Sequence, residues 1–217
     1  MRWLHFLAGV LLLLGLLVYP FSPSADAAAG RLVASDFSYR GISLGSTESE
    51  VVRVLGEPLF DKDIRRQGIA VKALVYPNGV EVALARRSGK VVDITVDLSK
   101  QKEFELRDGV RYGATSAGLQ QVYGKEKREW LEGEVYYIYK MQARPYDRLL
   151  LSLDTEDYHL KAMRITNLPL TEEEYDARAG QGDDELEAMS DAVMGDKQID
   201  TSALPQTDEV KLGGYLP

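Results

Sequence analysis

Gly41-Ile42-Ser43-Leu44-Gly45-Ser46-Thr47-Glu48-Ser49-Glu50-Val51-Val52-Arg53-Val54-Leu55-Gly56 is the stretch on which the reading of this chain turns. Thr47 is a residue type that caps helices, because its hydroxyl accepts a bond from an otherwise unpaired amide. Glu50, three residues on, can reach back to the capping amide and complete a capping box. Val51, Val54 and Leu55 fall at helical spacing and predict one apolar face. Gly56 suits the left-handed residue that ends a helix, and Pro58 prevents the helix from resuming. A helix of about two turns is predicted.

The same pattern returns 68 residues later, where Gly109, Gly113, Thr115, Val122 and Gly124 repeat Gly41, Gly45, Thr47, Val54 and Gly56. Self-similarity at a fixed spacing points to a repeated structural unit. In the second copy Thr115 caps, Leu119, Val122 and Tyr123 form the face, and Gly124 ends the helix. Gly118 stands where Glu50 stood, so this helix has no capping box.

Strand-like sequence follows each helix. Ala70–Tyr76, Val80–Ala85 and Val91–Leu98 are separated by Pro77-Asn78-Gly79 and Ser88-Gly89-Lys90, both turn signals, and Val92, Ile94, Val96 and Leu98 alternate at period two. After the second helix come Glu134–Met141, Arg148–Leu153 and His159–Leu168. The predicted fold class is α+β: a tandem repeat of a short helix followed by a three-stranded antiparallel meander, with the helices packed on the sheet. The units are bounded at 28–106 and 107–170.

The flanks differ from this body. Arg2 precedes the uninterrupted apolar and glycine run Phe6–Tyr19, and Ala25-Asp26-Ala27-Ala28-Ala29 offers small residues at cleavage spacing. Residues 1–27 therefore read as a secretory signal peptide. The run is shorter than the roughly 20 residues that span a bilayer, so no membrane span is expected after its removal. The expected location is extracytoplasmic, either periplasmic or secreted. Residues 171–217 carry 13 acidic side chains against Arg178, Lys197 and Lys211, and read as an acidic, largely disordered tail. Short helices are predicted within it at Thr171–Arg178 and Asp184–Met194, and its removal beyond residue 180 is expected to leave the body folded. The chain totals 217 residues with a net charge of −8, which lies in the tail, while the body is nearly neutral. Nothing in this distribution suggests nucleic acid, which would need a clustered basic surface.

Catalytic chemistry finds little support. The chain has no cysteine, and His159 is the single histidine outside the expected leader. A nucleophile–base–acid triad therefore lacks its parts, and no serine sits in a nucleophile-elbow pattern. The runs Glu172-Glu173-Glu174 and Asp183-Asp184-Glu185 lack the alternating ligands and central glycine of a calcium loop. Paired carboxylates for glycoside hydrolysis have no supporting motif. No enzyme activity, cofactor or metal is expected.

Aromatic residues gather in the second copy. On a strand, Tyr137 and Tyr139 share a face with Val135 and Met141, while Tyr136 shares the other with Glu134 and Lys140. The first face reads as core and the second as the wetter one. Tyr and Trp combine apolar area with a polar tip and favour interfaces. Trp130, Tyr136 and Tyr146 are the candidate partner-binding residues.

The run Gly45-Ser46-Thr47, then Glu50-Val51, then Leu55-Gly56-Glu57-Pro58, with Tyr76 and Gly89-Lys90-Val91 beyond it, resembles the opening of the SmpA/OmlA (BamE-like) outer-membrane assembly lipoprotein family. A tandem form of a similar unit occurs in the β-lactamase-inhibitor-protein-like fold. The lipid-attachment cysteine of the assembly lipoproteins is absent here. The resemblance implies that fold and non-catalytic protein binding in the cell envelope or outside the cell. The expected function is thus an extracytoplasmic protein-binding module whose partner is another protein. The alternative is a glycan- or cell-wall-binding protein that uses exposed aromatics.

Overall fold

The computed structural model describes residues 32–190. The expected signal peptide and residues 191–217 lie outside the described residues, as does the end of the helix expected over Asp184–Met194.

A small hairpin opens the fold, β1 (Ser38–Tyr39) against β2 (Ile42–Ser43), turned by Arg40-Gly41 with both residues at positive φ. Helix α1 (Glu48–Leu55) follows and is capped as its sequence dictates. Thr47 Oγ1 accepts from the Glu50 amide at 3.3 Å, and Glu50 Oε2 accepts from the Thr47 amide at 2.7 Å. Gly56 ends it at φ 81°. Val51 is fully buried, but Val54, expected on the same face, is 42% exposed. Four strands come next: β3 (Phe60–Arg66), β4 (Ile69–Tyr76), β5 (Val80–Ala85) and β6 (Val91–Asp97). Helix α2 (Ser116–Tyr123) is capped by Thr115, whose hydroxyl accepts from the Gly118 amide at 3.2 Å. Four more strands follow: β7 (Arg128–Leu131), β8 (Glu134–Met141), β9 (Arg144–Leu153) and β10 (Leu160–Thr166). Helices α3 (Glu172–Gly180) and α4 (Asp184–Met189) complete the described chain.

The expected tandem of three-stranded units is corrected by the sheet. All strands from β3 to β10 form one eight-stranded antiparallel sheet in the order β3-β4-β5-β6-β10-β9-β8-β7. The architecture is mostly β, with helices short and few. Two physical facts explain the difference. Strands β3 and β7 are the sheet edges, and their sequences, Phe-Asp-Lys-Asp-Ile-Arg-Arg and Arg-Glu-Trp-Leu, are too charged to read as strands. Charged edges suit strands whose outer side has no pairing partner. In addition, β6 pairs with β10 from Ala162↔Asp97 to Thr166↔Asp93, a contact no local pattern encodes. That pairing merges both sets of strands over one apolar layer, in which Val82, Ile94 and Val96 pack with Leu149, Met163 and Ile165, under Val51, Leu119 and Tyr123 of the two helices.

The opposite face carries a second, smaller cluster. Ile69, Val71, Ala73, Ala83, Ala85 and Val92 are covered there by Leu168, Leu186 and Met189. Val92 does not continue the alternation of Ile94 and Val96. A bulge opposite Ala83/Leu84 turns it to this second face and leaves Val91 on the first. Residues 171–190, read from composition as loosely held, are anchored by pairs between acids and buried arginines. Arg148 donates to both carboxylate oxygens of Glu174 at 2.8 and 2.7 Å. Arg178, 1% exposed, donates from Nε to Asp183 at 2.8 Å and from Nη1 to the Asn167 carbonyl at 2.8 Å.

Candidate functional site

The C-terminal helices cover only part of that second face. The uncovered part is a cleft of about 800 Å³. Its floor is Thr95 of β6, Ala162 and Arg164 of β10 and Ser152 of β9, all on one side of the sheet by the ladder register. Its walls are the two outermost hairpins. Gln67-Gly68 turns β3 into β4, and Glu132-Gly133 turns β7 into β8, all four residues at positive φ. A two-residue turn of this kind matches the right-handed twist of the flanking strands. The sheet curls enough for the two hairpin tips to meet, with Gln67 Nε2 donating to Glu132 Oε1 at 3.0 Å.

The cleft is charged but balanced. Arg65, Arg66, Lys161 and Arg164 line it with Asp97, Glu132, Glu134 and Asp154. Beneath the floor lies Asp93, fully buried. Arg164 Nε donates to Asp93 at 2.6 Å, and Arg66 bridges Asp93 and Glu81 with its two terminal nitrogens. A buried carboxylate is tolerable only when paired and hydrogen-bonded, and here two guanidiniums supply both. Lys62 closes the chain at Glu81, 3.0 Å away. Glu134 is held by three donors: Ser152 at 2.7 Å, Lys161 at 3.0 Å and Tyr136 at 3.2 Å. Burial alone would raise the Glu134 carboxyl, but these donors outweigh it and hold it below the usual carboxylate range. Burial, and then the Glu134 charge, push the Tyr136 hydroxyl up to about 12.

The structure separates the three candidate partner-binding residues. Tyr136 lies in the cleft, half-buried and bonded to Glu134. Trp130 is 64% exposed on the β7 edge, on the other side of the sheet, since it pairs with Val135 while Glu129 pairs with Tyr136. Tyr146 lies under the Arg178 guanidinium, 3.9 Å from ring centroid to carbon, and so helps dock α3. They form no common patch. Tyr137 and Tyr139 are core residues. His159 sits on a turn with Nδ1 2.9 Å from the Asp157 carboxylate. Among the described residues no three His, Cys, Asp or Glu side chains are grouped to hold a metal.

The polar cleft lining was missed because each residue looks like ordinary solvated strand sequence. The one available signal was the polar alternation Asp93, Thr95, Asp97, which marks a face without showing that it is enclosed.

No family model and no curated protein matches the chain. Solved structures similar to it include three bacterial proteins. A DUF4309 family protein (YjgB) from Bacillus subtilis is 15% identical, with a TM-score of 0.39 over 58% of this chain and 82% of that one. An extracellular protein containing a SCP domain from Bacillus anthracis is 14% identical, with a TM-score of 0.41 over 67% of this chain and 55% of that one. A cysteine-rich secretory protein (SAV1118) from Staphylococcus aureus is 10% identical, with a TM-score of 0.36 over 57% of this chain and 44% of that one. Likeness at these TM-scores bears on neither function nor location. The resemblance to the SmpA/OmlA (BamE-like) family is corrected: no family model supports it, and one continuous sheet replaces the helix-plus-meander arrangement it implied. No helix among the described residues is long and apolar enough to cross a membrane.

Proposed function

We propose that the protein is a non-catalytic binding module that works outside the cytoplasm and takes a polar segment of another protein in the sheet cleft. The observation that carries this reading is the cleft itself, about 800 Å³ between two hairpins whose tips touch. Its lining offers hydroxyl, amide and charged groups in balance, which suits a backbone segment with its alternating donors and acceptors. The non-catalytic part is supported by the state of Glu134. A general acid needs a raised pKa, and this carboxylate, held low by three donors, does not fit that one role. The location is supported by the leader-like sequence of residues 1–27. Glycan binding is the second reading, favoured by Tyr112 and Tyr136 beside Asp97 and Asp154 at the cleft.

The test is site-specific photo-cross-linking in intact cells that make the full chain. A photoreactive residue at Gln67 or Ser99, both lining the cleft, is compared with one at Val54, on the far side of the sheet. Discrete protein adducts from the cleft positions and not from Val54 are expected. Adducts to wall glycan alone, or identical adducts from Val54, would refute the reading.

A further inference from the structure

We propose that Arg164 is the anchor of the cleft and takes a carboxylate of the bound segment, an inference that rests on the cleft being the binding site. The cations around the cleft are not equivalent. Arg66 spends both terminal nitrogens on Asp93 and Glu81. Lys161 is held by Glu134 at 3.0 Å, and Arg65 donates to the Gly68 carbonyl at 3.1 Å. Arg164 spends only Nε, on Asp93, and neither of its terminal amino groups has a partner among the described residues. Its side chain is 18% exposed and lines the cleft, while the carboxylate that holds it is fully buried.

A guanidinium clamped through Nε presents its two remaining nitrogens as a preset fork. That fork matches the two oxygens of a carboxylate, and little side-chain freedom is lost when they meet. Partial burial has also removed much of the water that would otherwise compete. The four lining carboxylates select the ligand's charge. They oppose a dianion such as phosphate, whereas a single planar carboxylate is matched by one fork. The rim carboxylate of Glu132 is the built-in competitor. It acts on Arg164 through space but accepts its own hydrogen bond from Gln67. A peptide bearing a free carboxylate would replace Glu132 as the counter-charge.

The test uses the full mature chain labelled with ¹⁵N and two peptide probes, acetyl-Ala-Ala-Ala with a free C-terminal carboxylate and the same tripeptide as its amide, with glucuronate added separately as a sugar probe. Saturable shifts at the Arg164 Nε–H and the Thr95 amide are expected for the carboxylate form, with the amide weaker by about tenfold, the scale of a charge-assisted hydrogen bond. Glu132→Gln, a change at an exposed turn, is expected to tighten the carboxylate probe a few-fold and leave the amide unaffected. Arg164→Gln is expected to abolish the carboxylate preference. Should that variant fail to fold, the comparison of the two probes on the unaltered chain and on Glu132→Gln still decides. Equal binding of both probes in the cleft would overturn the Arg164 assignment and leave the cleft reading standing. No shift at any cleft residue with either probe would overturn both. Cleft shifts with glucuronate but not with the peptide would overturn both in favour of a glycan.

Discussion

Replacing Leu186 by alanine tests whether the C-terminal helices belong to the folded body. Leu186 and Met189, 2% and 3% exposed, are the side chains of α4 that cover Ile69, Val71, Ala73, Ala83 and Ala85. Removing a buried leucine side chain beyond Cβ costs about 2–5 kcal/mol, more where the surroundings cannot collapse into the space. The floor here is sheet backbone bearing alanines, which cannot move in, so about 3–4 kcal/mol is expected. There is a ceiling. If α4 simply undocks, the loss cannot exceed the docking free energy of the segment, which truncation after Gly180 measures directly. Thermal and urea melts of Leu186→Ala, the truncation and an exposed control, Glu187→Ala, form the set. About 3 kcal/mol corresponds to a fall in Tm of about 6–12 °C for a domain of this size. A Tm within about 1 °C of the unaltered protein would refute the docked arrangement. A fall larger than that of the truncation would refute the undocking ceiling.

Three further expectations follow from the buried charges and the caps. Asp93→Asn removes the shared counter-charge of Arg66 and Arg164 and is expected to cost about 3–5 kcal/mol in a urea melt, the scale for breaking a buried ion pair from one side. Asp147 is 1% exposed, and Arg144 approaches it at 2.9 Å but off the line a hydrogen bond needs. Burial pushes its carboxyl up against the opposing pull of Arg144, while Glu185 raises it and Arg148 and Arg178 lower it. A carboxyl raised in the folded state destabilises above its folded pKa, and the penalty fades as pH falls through that pKa towards the unfolded value of about 4. Asp147→Asn should therefore raise Tm at pH 7, with the gain shrinking at acid pH; a gain that grows on acidification would contradict this. Thr47→Ala should cost about 1 kcal/mol, and more than Thr115→Ala, because only Thr47 shares a capping box. Equal losses in urea melts would remove the role given to Glu50.

Much of the local structure was legible. Both α1 and α2 start and stop where Thr47, Gly56, Thr115 and Gly124 indicate, because caps act over three or four residues. Tyr137 and Tyr139, on the face of Val135 and Met141 and opposite Glu134 and Lys140 by strand parity, are core residues. The two hairpins that wall the cleft were not legible, since Gln67-Gly68 and Glu132-Gly133 lack the Asn-Gly or Asp-Gly signature and join charged edge strands. The acids of residues 171–190 read as a solvated run because Glu174 meets Arg148 of β9, and Arg178 reaches the Asn167 carbonyl, only once α3 lies on the sheet.

What the amino-acid order determined alone are features set by near neighbours: helix caps, turns and strand alternation. What only the tertiary structure decided is the joining of β6 to β10, the curl that brings Gln67 to Glu132, and the convergence of Arg66, Glu81, Asp93 and Arg164 from four different strands. The physical reason is range. A cap or a turn is an energy difference within a few residues, whereas the Asp93–Arg164 pair joins side chains 71 positions apart. Such a pair acquires its energy only after a shared apolar layer has excluded water from between its partners.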